Sequence, residues 1–158
     1  MRGKDREITD LNTIKKIIEK CKIMHLGLSK DNTPYVVPLN FGFDSQNNLI
    51  YFHCASQGMK LDFLESNSLA CLQFCTGYCL TTPENPGHGC GYGFNYESVT
   101  AWGKGAVVYD TAEKIRALKL LMIQQTGKDF EFTEKEAQTV TIVRIKIERF
   151  FGKKRLEF

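Results

Sequence analysis

The sequence predicts a mainly β protein of the α+β kind, an antiparallel six-stranded barrel with flanking helices, and three observations carry that reading. Eleven Phe, six Tyr and one Trp are concentrated in short runs of strand length rather than in helical stripes. Clusters of Asn, Asp, Ser and Gly separate those runs. No alternating strand-helix units of Rossmann length are present, which argues against a doubly wound sheet. At 158 residues, 42% hydrophobic and 25% charged, the chain has the composition of one globular domain, read here as residues 1–158.

The elements follow in order. Residues 9–21 place Leu11, Ile14, Ile17, Ile18 and Cys21 at helical spacing, with Thr9 and Asp10 available as caps. Ile23–Ser29 and Tyr35–Phe43 read as a hairpin across Lys30-Asp31-Asn32-Thr33, and Leu49–Cys54 follows a second polar turn at residues 45–48. A short helix opens near Gly58 and stops at Asn67, before a fourth strand at Leu69–Cys75. Residues 76–95 hold five of the thirteen glycines and two of the four prolines, and read as a long loop, a flap over a bound ligand. Tyr96–Tyr109 is a long strand. Asp110-Thr111-Ala112-Glu113 resembles a capping box opening a helix with Ala112, Ile115, Leu118 and Met122 inward. Thr133–Glu136 is a second such box, and Val140–Phe151 closes the chain as strand six.

Twenty-one basic against eighteen acidic residues leave a formal charge of +3 with the signs interspersed, so no nucleic-acid partner is called for. Lys153-Lys154-Arg155 reads as a solvated face. The apolar runs fall short of a membrane span of about 20 residues. The segment Met1–Arg6 shows no apolar signal core, so the expectation is a cytoplasmic protein whose six cysteines are reduced.

The stretch from His53 to Lys60 carries the chemistry: a strand ends, small residues follow, and a lysine enters the first turn of a helix. Unpaired N–H groups and the partial positive charge of a helix start, joined by a cation, suit a phosphate. A lysine so placed is also commonly just an exposed side chain. His25 reads as a core residue and His88 as a solvated one, while His53 stands between a structural role and one as proton donor. Cys75, Cys79, His88 and Cys90 contain the donors of a zinc set, but Cys-x3-Cys and His-x-Cys do not match its usual spacing, and no metal is expected. Trp102 and the Phe150-Phe151 pair read as core or dimer packing.

Tyr35-Val36-Val37-Pro38-Leu39-Asn40, Ile50-Tyr51-Phe52-His53-Cys54-Ala55, Gly58-Met59-Lys60-Leu61-Asp62 and Asn95-Tyr96-Glu97-Ser98-Val99 with Gly103-Lys104-Gly105 together resemble the pyridoxamine phosphate oxidase-related flavoproteins, in particular the nitroimidazole-resistance branch. The resemblance implies a split barrel, a homodimer, and flavin mononucleotide (FMN) in a groove between subunits. Carried over by position, it implies Pro38, Leu39 and Asn40 beside the isoalloxazine ring, His53 and Cys54 along the ribityl chain and ring, Met59 and Lys60 at the phosphate, and Ser98 as a polar contact. Position 59 departs from the pattern, since related sequences commonly carry a cation there. The implied activity is flavin-dependent reduction of small electron-poor acceptors such as nitro-aromatics, with His53 as the catalytic candidate. A nicotinamide dinucleotide, NAD(P)H, would be a transient donor, because no glycine-rich dinucleotide turn is present. The alternative is a flavin- or haem-binding module without turnover, acting as store, sensor or electron carrier.

Overall fold

A computed structural model of the chain describes residues 4–155. The amino-terminal residues 1–3, part of the polar segment read above, and residues 156–158 lie outside that range. The strands are β1 (Glu7–Ile8), β2 (Ile23–Lys30), β3 (Thr33–Asn40), β4 (Gly42–Asp44), β5 (Leu49–Cys54), β6 (Leu69–Thr81), β7 (Gly93–Val108) and β8 (Thr141–Arg155). The helices are α1 (Leu11–Lys20), α2 (Met59–Ser66), α3 (Thr111–Thr126) and α4 (Glu134–Gln138). The six expected strands are the six long ones; β1 and β4 are short additions that make one eight-stranded sheet.

The order β3-β2-β6-β7-β8-β5-β4 does not close on itself, although β3 runs into β4 through the single residue Phe41. β4 pairs only with Leu49, Ile50 and Tyr51. The end of β5, from Phe52 to Cys54, therefore has β8 on one side and no strand on the other. β3 likewise has one free edge, and the two unpaired margins define the split of a split barrel.

Local sequence explains the turns. Asp31 and Asn32 take φ of 49° and 61°, the left-handed pair that a tight hairpin requires and that short polar side chains tolerate. Asp44 accepts from the backbone N–H of Asn47 at 3.0 Å and from its side-chain amide at 2.9 Å, which shapes the next turn. Inside, Ile17 and Ile18 of α1 join Leu26, Phe52, Leu72 and Ile145 in a continuous core.

Several expectations are corrected. The first helix keeps Ile14, Ile17 and Ile18 inward, but Leu11 at its start is exposed. The strand expected over 35–43 breaks at Phe41, whose ring is fully buried against Phe74 with centroids 5.1 Å apart. Residues 76–95 are not one loop: β6 and β7 continue through them, pairing Cys79 with Asn95 and Thr81 with Gly93 beyond a bulge at residues 76–79. Gly77 supplies the positive φ of 72° at that bulge. His25 is exposed, because β2 turns it to the outer face while Met24 and Leu26 face inward.

The α3 helix buries Ala117, Leu121 and Gln124 rather than the Ala112, Ile115, Leu118, Met122 stripe. Gln124 is a buried polar side chain, so the apolar period misled. Its amide donates to the carbonyls of Ile18 at 3.2 Å, Glu19 at 3.0 Å and Cys21 at 2.7 Å, completing the open end of α1. The backbone of α3 also comes so close to β4 that a Cβ on Gly42 would lie 2.5 Å from the Leu121 nitrogen.

Candidate functional site

The alternation of β5 divides the two residues expected along a ribityl chain. Cys54 turns inward and packs against the core, while His53 is exposed on the opposite face. Tyr35, Val37 and Leu39 of β3, on the other margin of the split, pack against the same core, as do Leu61 and Phe63 of α2. The Phe63 ring lies 5.3 Å from that of Tyr35. The split thus has an apolar floor and two strand margins.

The α2 helix starts directly after this margin. Its N-cap is Gly58, with φ of 137° and no side-chain cap, and space around a Cβ there is empty to 4 Å. Lys60 follows in the first turn. Burial pushes the Cys54 thiol up, and the Lys60 charge opposes that shift. Met59 is exposed beside Lys60. His53, Cys54, Met59 and Lys60 are therefore brought to one end of the split.

An adjoining pocket of about 620 Å³ is lined by Ser56, Gln57, Asp62, Glu65, Gly105 and Thr141 among others. Its two carboxylates disfavour a phosphate, which leaves the uncapped helix start and Lys60 as the position for one.

The β3 residues diverge. Leu39 is half-buried toward the core, Pro38 faces outward opposite His25, and the Asn40 amide donates to Gln125 of α3 at 3.0 Å. What the three share is the free backbone edge of β3. Ser98 lies elsewhere: His53 sits in the cross-strand row of Ile142 and Val108, and Ser98 is ten residues before Val108 on β7. At about 3.3 Å per residue this is roughly 30 Å of strand, so one chain does not bring Ser98 to the site.

Ser98 belongs to a second set that sequence reasoning passed over, the outer face of the central strands. One row runs Pro38, His25, Gln73, Thr100, and the next Val36, Gly27, Cys71, Trp102, Arg149. The Thr100 hydroxyl donates to Gln73 Oε1 at 2.6 Å, and the Arg149 guanidinium stacks on Trp102 at 4.1 Å. A depression of about 430 Å³ opens over Gly27 between Val36 and Trp102. Trp102 is thus outside the chain's own core. The signal in the sequence was the polar alternation Cys71, Gln73, Cys75 inside an otherwise apolar strand.

Next to His53, β5 meets α3 through a closed polar network. Tyr51 donates to Glu113 at 2.9 Å, Arg116 donates to the Tyr51 oxygen at 2.7 Å and to Asp44 at 3.2 Å, and Arg144 donates to both Glu113 oxygens. Burial, helped by the Glu113 bond, pushes the Tyr51 phenol up to about 12. Among the described residues no group of three or more His, Cys, Asp or Glu is gathered to hold a metal ion, and no helix is long and apolar enough to cross a membrane.

Solved structures share this fold. A protein from Bacteroides thetaiotaomicron VPI-5482, described as a candidate 5-nitroimidazole antibiotic resistance protein, is 28% identical, with 96% of this chain and 90% of that chain covered and a TM-score of 0.78. The flavocytochrome Anf3 from Azotobacter vinelandii shares the fold at 20% identity, covering 99% of this chain and 72% of that one with a TM-score of 0.80. An FAD and haem binding protein from Mycobacterium smegmatis does so at 16% identity, over 97% and 75%, with a TM-score of 0.78. No curated protein matches. The pyridoxamine 5'-phosphate oxidase family model matches residues 10–154, nearly the whole described chain, and the protein belongs to that family.

Proposed function

We propose that the protein is an FMN-dependent oxidoreductase, working as a homodimer in the cytoplasm and reducing small electron-poor acceptors such as nitro-aromatics. The observation that carries this reading is the uncapped start of α2, with Lys60 in its first turn, at one end of an apolar-floored split. These residues fit a flavin phosphate and ring: a cation and free N–H groups for the phosphate, and an unpaired strand edge for the polar rim of the ring. The 28% identity to the Bacteroides protein supports the nitro-aromatic acceptor class. Six free cysteines fit a reducing compartment.

Bound FMN would supply the two-electron chemistry between a visiting nicotinamide dinucleotide, NAD(P)H, and the acceptor. The chain's own residues would do the rest. Lys60 and the α2 N–H groups anchor the phosphate, with Met59 alongside. The β3 edge from Pro38 to Asn40 orients the ring, and Cys54 with the core side chains beneath it keeps water from one face. His53, exposed at the end of β5, would hold or deliver the proton that the reduced acceptor needs. Ser98, too distant in its own chain, would reach the groove of a second copy together with Gln73 and Thr100 of the same face.

Titration with FMN followed by anaerobic NAD(P)H tests the reading. The parent should turn yellow and bleach. Lys60→Ala should weaken FMN by roughly 1.5–3 kcal/mol, the scale of a hydrogen bond to a charged group. His53→Gln should keep FMN but slow acceptor reduction by about a hundredfold, within the range for a lost proton donor. A parent protein that takes up no FMN, or one that carries a Soret band instead, would overturn it.

A further inference from the structure

Two neighbouring glutamines close α3, and they serve different parts of the molecule. Gly127, with φ of 74°, ends the helix, so Gln124 and Gln125 occupy its last turn. Gln124 completes the end of α1, whereas Gln125, half-buried, turns to the point where β3 breaks into β4. The Gln125 side-chain amide donates to the Phe41 carbonyl at 3.0 Å and to the Lys22 carbonyl at 3.1 Å, and its own carbonyl accepts from the Asn40 amide at 3.0 Å.

These bonds fall at the limit of the pairing between β2 and β3. Lys22 precedes the first residue of β2, Asn40 is the last of β3 and pairs with Ile23, and Phe41 belongs to neither strand. One side chain thus answers three polar groups where two strands end, with its N–H groups and its oxygen all in use. The Asn40 amide also reaches the Lys22 carbonyl at 3.4 Å, which closes a small ring of bonds around the break.

The support behind Gln125 is firm. Gly42, next after Phe41, lies so close to α3 that a Cβ there would stand 2.5 Å from the Leu121 nitrogen, and Lys22 Nζ donates to the Gln124 carbonyl at 2.6 Å. The last turns of α3 are therefore fixed against β4 and against the start of β2. Among the described strands β3 pairs with β2 alone, so the Gln125 clamp is a second anchor for the end of an otherwise free edge.

We infer that Gln125 is a positioning residue for the cofactor: by fixing Asn40 and the Phe41 carbonyl it sets the line of the β3 edge against the polar rim of the flavin ring, and so tunes the affinity and the reduction potential of that ring. The inference rests on the FMN reading above. Gln125 acts through Asn40 and the backbone of β3, without touching the ring. Reduction puts negative charge on the polar rim, so donors held in line there favour the reduced form, and an edge that loses its anchor lowers the potential.

The test compares Gln125→Leu, which removes all three bonds at a half-buried position, with Thr133→Ala, which removes the capping box of α4 near Lys114 at the opposite end of α3. In the flavin-free chain, the backbone amides of residues 39–41 should exchange about fivefold faster in Gln125→Leu and at the parent rate in Thr133→Ala. With FMN, Gln125→Leu should bind about tenfold more weakly, the scale of one or two lost hydrogen bonds, and its flavin midpoint potential should fall. Thr133→Ala, a loss of stability alone, should change neither. The double variant Asn40→Ala/Gln125→Leu should bind FMN no more weakly than the weaker single variant, since both act through one contact. Full additivity in that cycle, or an affinity and potential in Gln125→Leu equal to those of Thr133→Ala, would overturn the inference and leave the FMN reading standing. A parent that takes up no FMN sinks both.

Discussion

The outward side chains of β5 and β8 and those of β2, β3, β6 and β7 meet opposite fates. Under α3, Tyr51, Asp44 and Arg144 face outward from the sheet and each finds a partner on the helix or in the adjoining turn. On the central strands Val36, Leu69 and Trp102 also face outward, and no helix among the described residues covers them. The covered region can be polar because every charge there is answered within the chain. The uncovered region sets the apolar Val36, Leu69 and Trp102 beside His25, Gln73, Thr100 and Arg149.

The sharpest way to break this comparison is to swap the tolerance of the two regions to a single methyl group. Gly42→Ala drives a Cβ to 2.5 Å from the α3 backbone, which cannot retreat without dragging the network, and about 3 kcal/mol of stability should be lost. Gly27→Ala on the open face meets the Cys71 carbonyl at 3.3 Å and its Cβ at 3.6 Å, so denaturant midpoints should shift far less. Equal losses at the two glycines would erase the distinction.

Removing the carboxylate at the centre of the network is the next largest change. Glu113→Ala strips partners from Tyr51 and Arg144 and should cost about 2 kcal/mol, in the range for a buried group left unsatisfied. By contrast Val36→Asp on the exposed face should stay within roughly 0.5 kcal/mol in chain stability, as surface changes do. Its effect should appear in self-association, weakened about tenfold.

The smallest effect is titration of the covered region. Burial works against the Asp44 charge, but bonds from the Asn47 side chain and backbone, with Arg116, outweigh it and hold the carboxyl below its usual range. Asp44 thus contributes stability that is complete above about pH 4 and lost as the pH falls through its lowered value. Tyr51, pushed up to about 12, contributes in the other sense: its share is whole below about pH 10 and lost as the pH rises through 12. Thermal melts across pH should show both limbs, and Tyr51→Phe should flatten the alkaline one alone.

These regions also differ in how far they were readable from sequence. The hairpin at Asp31-Asn32 and the capping box at Thr133 and Glu136 are local devices, written in adjacent residues and visible as such. The α2 start was legible for the same reason. The α3 face was not, because a buried glutamine breaks the apolar stripe and answers to carbonyls about a hundred residues away. The length of β6 and β7 was hidden by Gly77 and Gly93, which look like loop residues although the strands pair on either side of the bulge at 76–79 and out to Gly93. The separation of Ser98 from His53 depends on pairing along β7 and β8, which no short motif encodes.

The Gln124 clamp has a consequence for the order of assembly. The last turn of α1 is completed by a side chain from α3, and Gln125 beside it donates to Phe41 at 3.0 Å. A helix of ten residues is marginal by itself, and here its terminus waits on closure of a loop spanning most of the sheet. Folding is therefore tied to contacts distant in the chain, which belongs with slow, cooperative kinetics rather than with early helix formation. The carboxyl end of α1 and the last turn of α3 should exchange their amide protons as one unit.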